Sequence, residues 1–356
     1  MNSFKVRGCW AHCVMAAWSA VFWGHYGRCP AQQPPTPVTI AIVDDGIDPT
    51  RMELRRRVAV NVKEIPDNGL DDDGNGFVDD VMGYDFIDQD AVPLPVAESG
   101  DPSHGTKMAI VALRAVNGLG VSGRALTDLI RVLPLRVATG GIVNTTAVIR
   151  AIRYAGNREE HVVVNLSMGT FRSNFPTALV GELAAQPNVL FVVSAGNQGK
   201  NINEMAASLC RNHRANVICV AAIDKGGKLS PPPRASNFGS AVDVAALGVD
   251  VGIPNAVGET QLDTGTSLAA AEVSGVAASV WLAAPKMQSS EIAQVLCDGA
   301  RASDVLRTLV RCGIVDVSRS LRLAVSRMRS EEAESLESSW KADLKAVPGS
   351  SSHYRI

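Results

Sequence analysis

VTIAIVDDG, residues 38–46, is a run of six apolar or β-branched residues closed by two carboxylates and a glycine. A strand that is apolar at every position is buried on both faces, the condition of a parallel sheet covered on each side by helices. Asp44-Asp45-Gly46 places a carboxylate at the carboxyl end of that strand, where α/β proteins build their sites, although Asp followed by Gly equally reads as a turn. Working outward, similar runs recur at Ile130 to Val137, Val162 to Leu166, Val189 to Val193, Val217 to Ala222 and Val242 to Ala246. Between and after them, helical spacing marks His104 to Arg114, Thr145 to Tyr154, Thr177 to Ala185, Ser267 to Ala284 and Ser289 to Cys297. The expected fold is therefore α/β: a doubly wound, mainly parallel sheet with helices on both faces.

The chain of 356 residues has room for one large α/β domain or two modest ones, and its 46% hydrophobic and 20% charged residues exclude a wholly disordered chain. Lys and Arg number 34 against 36 Asp and Glu, a net charge of -2 that supplies no dense basic face, so no nucleic-acid partner is expected. Lys5 and Arg7 precede the mostly apolar run Cys9 to Trp23, followed by Cys29-Pro30-Ala31. That is the order of a secretory signal peptide over residues 1–31, and it implies a secreted or cell-surface protein. A buried helix or a short anchor is the other reading, but about 15 apolar residues fall short of the roughly 20 that cross a bilayer, and no stable membrane span is expected after cleavage.

Cleavage there leaves four of the seven cysteines, Cys210, Cys219, Cys297 and Cys312. An even remainder suits an oxidising compartment, yet Cys219 lies in an apolar run and reads equally as a buried thiol, so no pairing is assigned. The main domain is expected over 32–326. From 327 to 356 runs a charged tail, in which Leu336, Trp340 and Leu344 share one helical stripe.

Three further segments carry chemistry. In Ser103-His104-Gly105-Thr106, His104 alone of the six histidines stands between a polar loop and an apolar helix. An imidazole there takes a proton from a hydroxyl if a carboxylate fixes its other nitrogen. Gly265-Thr266-Ser267 opens a long small-residue helix, so the Ser267 hydroxyl lies beside unpaired N–H groups. Ser194-Ala195-Gly196-Asn197 ends a strand, and the Asn197 amide is a donor for a developing oxyanion. Each segment alone is equally a cap or a turn. Their conjunction in the order Asp, His, Asn, Ser, all at element edges, is the signal.

On these residues the chain resembles the subtilisin-like serine protease (subtilase) family from about Val38 to Leu321. The match is carried by Ala41 to Gly46, His104-Gly105-Thr106, Ser194 to Asn197 and Gly265 to Ala270. The resemblance implies a serine endopeptidase acting on protein or peptide substrates. In it Asp44 orients the imidazole, His104 is general base and acid, Ser267 is the nucleophile and Asn197 donates to the oxyanion. It also implies a peptide laid as an added strand along Asn165 to Gly169, touching Ser167, Met168 and Gly169, with Ser194, Ala195 and Gly196 walling a pocket. Lys107 stands where many relatives have a second histidine, and Ala271-Glu272 replaces a usual Pro-His. The alternative function is a catalytically silent module that keeps the peptide groove.

Between the Asp and His segments lies Asn68 to Asp80, dense in carboxylates. Asp71, Asp73 and Asn75 at alternate positions, followed by Gly76, match the start of a calcium loop, with the Phe77 carbonyl at position seven. Position twelve is Met82, so a bidentate ligand is expected from Asp79, Asp80 or elsewhere. Without a cation, carboxylates this dense would repel one another, and a structural Ca2+ is the expected cofactor.

Overall fold

The computed structural model describes residues 36–96, 101–117, 128–168, 177–205, 208–211, 214–255 and 257–330. The expected signal segment, Gly169 and most of the charged tail lie outside these residues. In chain order the strands are β1 (Val38–Asp44), β2 (Tyr84–Asp85), β3 (Ile130–Arg136), β4 (Ala138–Thr139), β5 (Ile142–Val143) and β6 (His161–Leu166). They continue as β7 (Val189–Ser194), β8 (Val217–Ile223), β9 (Val244–Leu247), β10 (Val251–Pro254), β11 (Thr260–Asp263) and β12 (Gly313–Ile314). Eight form one sheet in the order β12-β9-β8-β7-β6-β1-β3-β2, and every pairing in it is parallel.

The helices are α1 (His104–Asn117), α2 (Thr145–Gly156), α3 (Thr177–Ala185), α4 (Thr266–Ala283) and α5 (Ser289–Asp298), with a last helix, α6, over 317–330. Ile40 and Ile42 of β1 pack into one core with α1, α4 and α5, while Ala41 and Val43 join the second core with α2 and α3. This period-two division is what a strand apolar at every position predicts. Helix α4 is apolar all round because it runs through the first core, and Gly275 lets it lie directly on α1: a Cβ there would fall 2.1 Å from the Ala112 carbonyl oxygen. Among the described residues α4 alone is long and apolar enough to cross a bilayer, and it is mostly buried within the fold.

Some expectations shift. The strand expected from Val242 begins at Val244, because the Val242 N–H closes a turn onto the Gly239 carbonyl. The antiparallel hairpin β10–β11 has no counterpart in the sequence reading; its second strand, TQLD, is largely exposed and lacks apolar alternation. Helix α6 runs through residue 326 without a break. All four cysteines left open above are paired: Cys210 with Cys219, and Cys297 with Cys312. The second bridge ties the end of α5 to the edge strand β12, and closing a loop of that size is worth about 3 kcal/mol in the chain-entropy account.

Glu272 stands on α4 at the edge of the first core and is only partly exposed. Burial pushes its carboxyl up to about 7, a backbone hydrogen bond from Leu247 offsetting part of the effect. The folded chain then binds a proton that the unfolded chain releases near the ordinary 4.5, so stability falls as pH rises between these values. Glu272→Gln should therefore raise stability at pH 8 by on the order of 3 kcal/mol and leave it nearly unchanged at pH 4. Melting temperatures of both chains at the two pH values check this; an equal gain at both would show that the carboxylate charge is not the cause.

Candidate active site

Asp44 is the last residue of β1, at the carboxyl edge of the sheet, and its side chain is almost wholly buried. His104 is the first residue of α1, and its Nδ1 lies 2.9 Å from both Asp44 carboxylate oxygens. Ser103 caps this helix: its Oγ accepts from the Thr106 N–H at 3.2 Å and donates to the Gly46 carbonyl at 3.2 Å. Gly105 is required where α1 meets β1, since a Cβ would lie 2.5 Å from the Gly46 carbonyl oxygen and 3.0 Å from the Asp44 Cβ. Strand end and helix start are therefore pressed together, and the His104–Asp44 contact follows from that pressing.

Asp45 is a residue whose part the sequence reading missed. Its carboxylate accepts from the backbone N–H groups of His104 at 3.1 Å and Gly105 at 2.8 Å, so it holds the N-terminus of α1 against the end of β1. Desolvation, then the neighbouring Asp44 charge, raises the Asp45 pKa against these hydrogen bonds. For His104, desolvation alone would lower the pKa, but the Asp44 charge and hydrogen bond, followed by Asp45 and Asp263, raise it to about 9. Lys107, one turn along α1, is turned to Asp263 at 3.1 Å.

Ser267 lies in the first turn of α4, where its N–H has no partner within the helix. Its Oγ donates to the Ser167 carbonyl at 3.0 Å, and the Ser167 Oγ donates in return to the Ser267 carbonyl at 3.1 Å. No hydrogen bond joins Ser267 to His104 among the described residues. The Asn197 Oδ1 accepts from both the N–H and the hydroxyl of Thr266, at 2.9 and 3.0 Å, which leaves Nδ2 beside Gly265 as a free donor. Gly196, with φ of 98°, has its N–H on the Thr266 hydroxyl at 3.1 Å, and Ser194 donates to the Met168 carbonyl at 3.4 Å. Ser194, Ala195, Ser167 and Met168 are all buried and surround the start of α4; Gly169 falls outside the described residues.

Residues 36–316, more than half of the chain, match the model of the Subtilase family, Peptidase_S8. The chain belongs to the subtilase family. It is 27% identical over 305 residues to Subtilisin-like protease 1 of Plasmodium vivax, covering 80% of this chain and 47% of the relative. It is 29% identical over 259 residues to the Thermophilic serine proteinase of Bacillus sp. (strain AK1), covering 72% and 55%. The chain thus spans about half the length of the curated relatives it matches. A structure of the subtilase cytotoxin SubAB assembly shares the fold with a TM-score of 0.61 at 22% identity, over 82% of this chain and 91% of that one.

The acidic loop of this subtilase closes differently from the sequence expectation. Asp79 accepts from the backbone N–H groups of Asn68 and Gly69, at 3.0 and 2.9 Å. Asp80 is fully buried and taken up by Asn61, Asn75 and the Tyr154 hydroxyl. Asn75 Oδ1 accepts from the Phe77 N–H, and the Phe77 ring packs on Tyr84 and Tyr154. The carboxylates that converge are Asp71, Asp73 and Glu64, whose oxygens lie within 4.8 Å of one another. Glu64 is only 6% exposed; its Oε1 accepts from the N–H groups of Asp72 and Asp73, while its Oε2 is buried with no partner. A buried carboxylate oxygen without a donor, facing two more carboxylates, fits a hard cation that prefers oxygen ligands. Glu64 lies four residues before Asn68 and seven before Asp71, so spacing within the loop gave no sign of it.

The geometry predicts the effect of Asp45→Asn on His104. With one negative charge removed, the His104 pKa should fall below the wild-type value of about 9, and losing the helix-end charge should cost about 1 kcal/mol of stability. An NMR titration of the His104 ring in the two chains, with a denaturation curve for each, reads both effects. An unchanged titration would show that Asp45 has no electrostatic hold on the ring.

Proposed function

We propose that the chain is a serine endopeptidase. The observation that carries the reading is the Asp44 carboxylate on the His104 Nδ1 at 2.9 Å, at the start of a helix packed on the core helix whose first turn holds Ser267. Asp44 fixes the tautomer in which Nε2 is the base. Ser267, released from the Ser167 carbonyl by rotation about its Cα–Cβ bond, gives its proton to His104 and attacks the peptide carbonyl. The resulting oxyanion is held by the Ser267 N–H and the Asn197 Nδ2. His104 then passes its proton to the leaving amine, and water repeats the sequence on the acyl-enzyme. The substrate lies as an added strand along Ser167 and Met168, just past the end of β6 where the sheet leaves the chain unpaired, with its side chain before the cut against Ser194 to Gly196. Because the base acts neutral, the His104 pKa near 9 makes activity rise through the alkaline range.

One observation favours the second reading, a silent peptide-binding module: the Ser267 hydroxyl is bonded to Ser167 and not to His104. Labelling of the purified chain by a fluorophosphonate probe decides between the two. Labelling that disappears in Ser267→Ala is expected, and a folded wild-type chain that takes no label is not an endopeptidase of this kind. Asn197→Ala should lower kcat by about 100- to 1000-fold with little change in KM, because its donor acts on charge that develops only in the transition state. Hydrolysis at the wild-type rate would reduce Asn197 to a turn residue.

The acidic loop is assigned a structural Ca2+ held by Glu64, Asp71 and Asp73, with Asn75 and the Phe77 carbonyl beside them. The ion neutralises the cluster and plays no part in the chemistry. Chelation should lower the melting temperature, and Glu64→Gln or Asp73→Ala should remove the difference between calcium and chelator. Identical wild-type melting curves in the two conditions would count against a metal here. The two disulfides and the N-terminal residue order support a place outside the cell, where thiols are oxidised.

A further inference from the structure

A cavity of about 210 Å3 opens beside the site, lined by Lys107, Arg234, Gln261 and Asp263 with Pro102 and Leu262 at its edges. Its position follows from the chain. Pro102 precedes His104 by two residues, Lys107 is one turn beyond it on α1, and Asp263 ends β11 four residues before Ser267. Arg234 is fixed over the same corner, since its Nη1 donates to the Thr264 carbonyl at 3.0 Å. A Cβ on Gly265 would meet the Asn197 Nδ2 at 3.5 Å and the Arg234 Nη1 at 3.8 Å, so oxyanion donor and guanidinium flank one glycine.

The charges do not cancel. Lys107 and Asp263 pair at 3.1 Å, each about a quarter exposed. Arg234, with 58% of its side chain exposed, reaches Asp263 only at 3.4 Å and through a single nitrogen. Two cations thus share one lining carboxylate, and among the described residues Arg234 bonds through Nη1 alone. Lys107 and Arg234 also hold Asp263 ionised, so a substrate cation entering here finds its counter-charge already taken. Ser267 bonds to Ser167, whereas the cavity is reached from Ser267 through Gly265, Thr264 and Asp263, and Lys107 in its lining stands on the helix that carries His104, the proton donor for the leaving amine.

We propose that this cavity is a subsite for an acidic side chain, aspartate or glutamate, in the leaving half of the peptide, with Arg234 as the specificity-determining cation. The inference rests on the endopeptidase reading and deepens it. A planar guanidinium anchored by one nitrogen offers its remaining donors to a carboxylate in bidentate fashion, which an amide or an ammonium does not match.

The test uses the purified full chain and quenched fluorescent peptides with one acyl half, carrying Glu, Gln or Lys at the first or second residue after the cut. Wild type should favour Glu over Gln by about tenfold in kcat/KM at one of these positions, the scale of a partly exposed charge-assisted pair. Lys should be poorest, and added salt should shrink the preference. Arg234→Gln should bring the Glu-to-Gln ratio to about 1, and Arg234→Glu should place Lys above Glu. A merely structural arginine would not produce that inversion. Equal wild-type rates for Glu and Gln at both positions, or a ratio untouched in both variants, would overturn the subsite while leaving the endopeptidase intact. If the folded chain cleaves none of the peptides, the endopeptidase reading fails, and affinities for Ser267→Ala decide the subsite: tighter binding of the Glu peptide supports it and equal binding ends it.

Discussion

Gly275 lets α4 settle on α1 so closely that no larger residue fits against the Ala112 carbonyl oxygen. The site depends on this contact, because Ser267 is delivered by one of these helices and His104 by the other. The rest of α4 obeys the same constraint: Ala269, Ala270, Ala271, Ala277 and Ala278 are all fully buried, and small side chains let a helix run through a core. Towards the start of α1, Gly105 repeats the device against the end of β1, so His104 is held at that strand end. Close backbone packing fixes where the His104 backbone stands, and the hydrogen bond to Asp44 orients a ring that is otherwise partly exposed.

That packing brings charges together at the same point. Asp44, Asp45 and Asp263 approach His104 from two strands, and Lys107 and Arg234 approach from the helix and the adjoining loop. The balance holds the imidazole protonated further into the alkaline range than an isolated histidine. Lys107 pairs with Asp263, one of the carboxylates whose charge raises the His104 pKa. Glu272 bears on stability instead, because its partly buried carboxyl is desolvated on α4.

Much of this was legible in the sequence because both signals are local. Strands buried on both faces are continuous apolar runs, and Asp44, His104, Asn197 and Ser267 stand at element ends announced by glycine or a change of period. Asp45 was visible but mute: its partners are backbone N–H groups 59 and 60 residues away, which only the tertiary contact reveals. Glu64 was hidden for the same reason. The disulfides escaped because four cysteines allow three pairings, and Cys219 in its strand looks like any buried thiol. The hairpin β10–β11 escaped because an exposed edge has no apolar pattern, although it carries Asp263 to the site.

The acidic loop stands apart from the packing around His104. Its buried anchors lead away from the groove: Asp80 bonds to Tyr154 on α2, and Phe77 sits edge-on against Tyr84, Phe86 and Tyr154. Gly83 then passes the chain to β2 so near Pro134 that a Cβ would lie 2.1 Å from its carbonyl oxygen. Aromatic packing and the Asp80 network thus fix the loop's base, while Glu64, Asp71 and Asp73 converge at its outer part, where hydrogen bonds from the loop's own backbone are the main restraint. A cation bound there would stiffen the connection between β1 and β2 and so the outer edge of the sheet. The carboxylates that would hold it are not among the groups that shift the His104 pKa, so an ion there would stabilise the loop and leave the imidazole in its own environment.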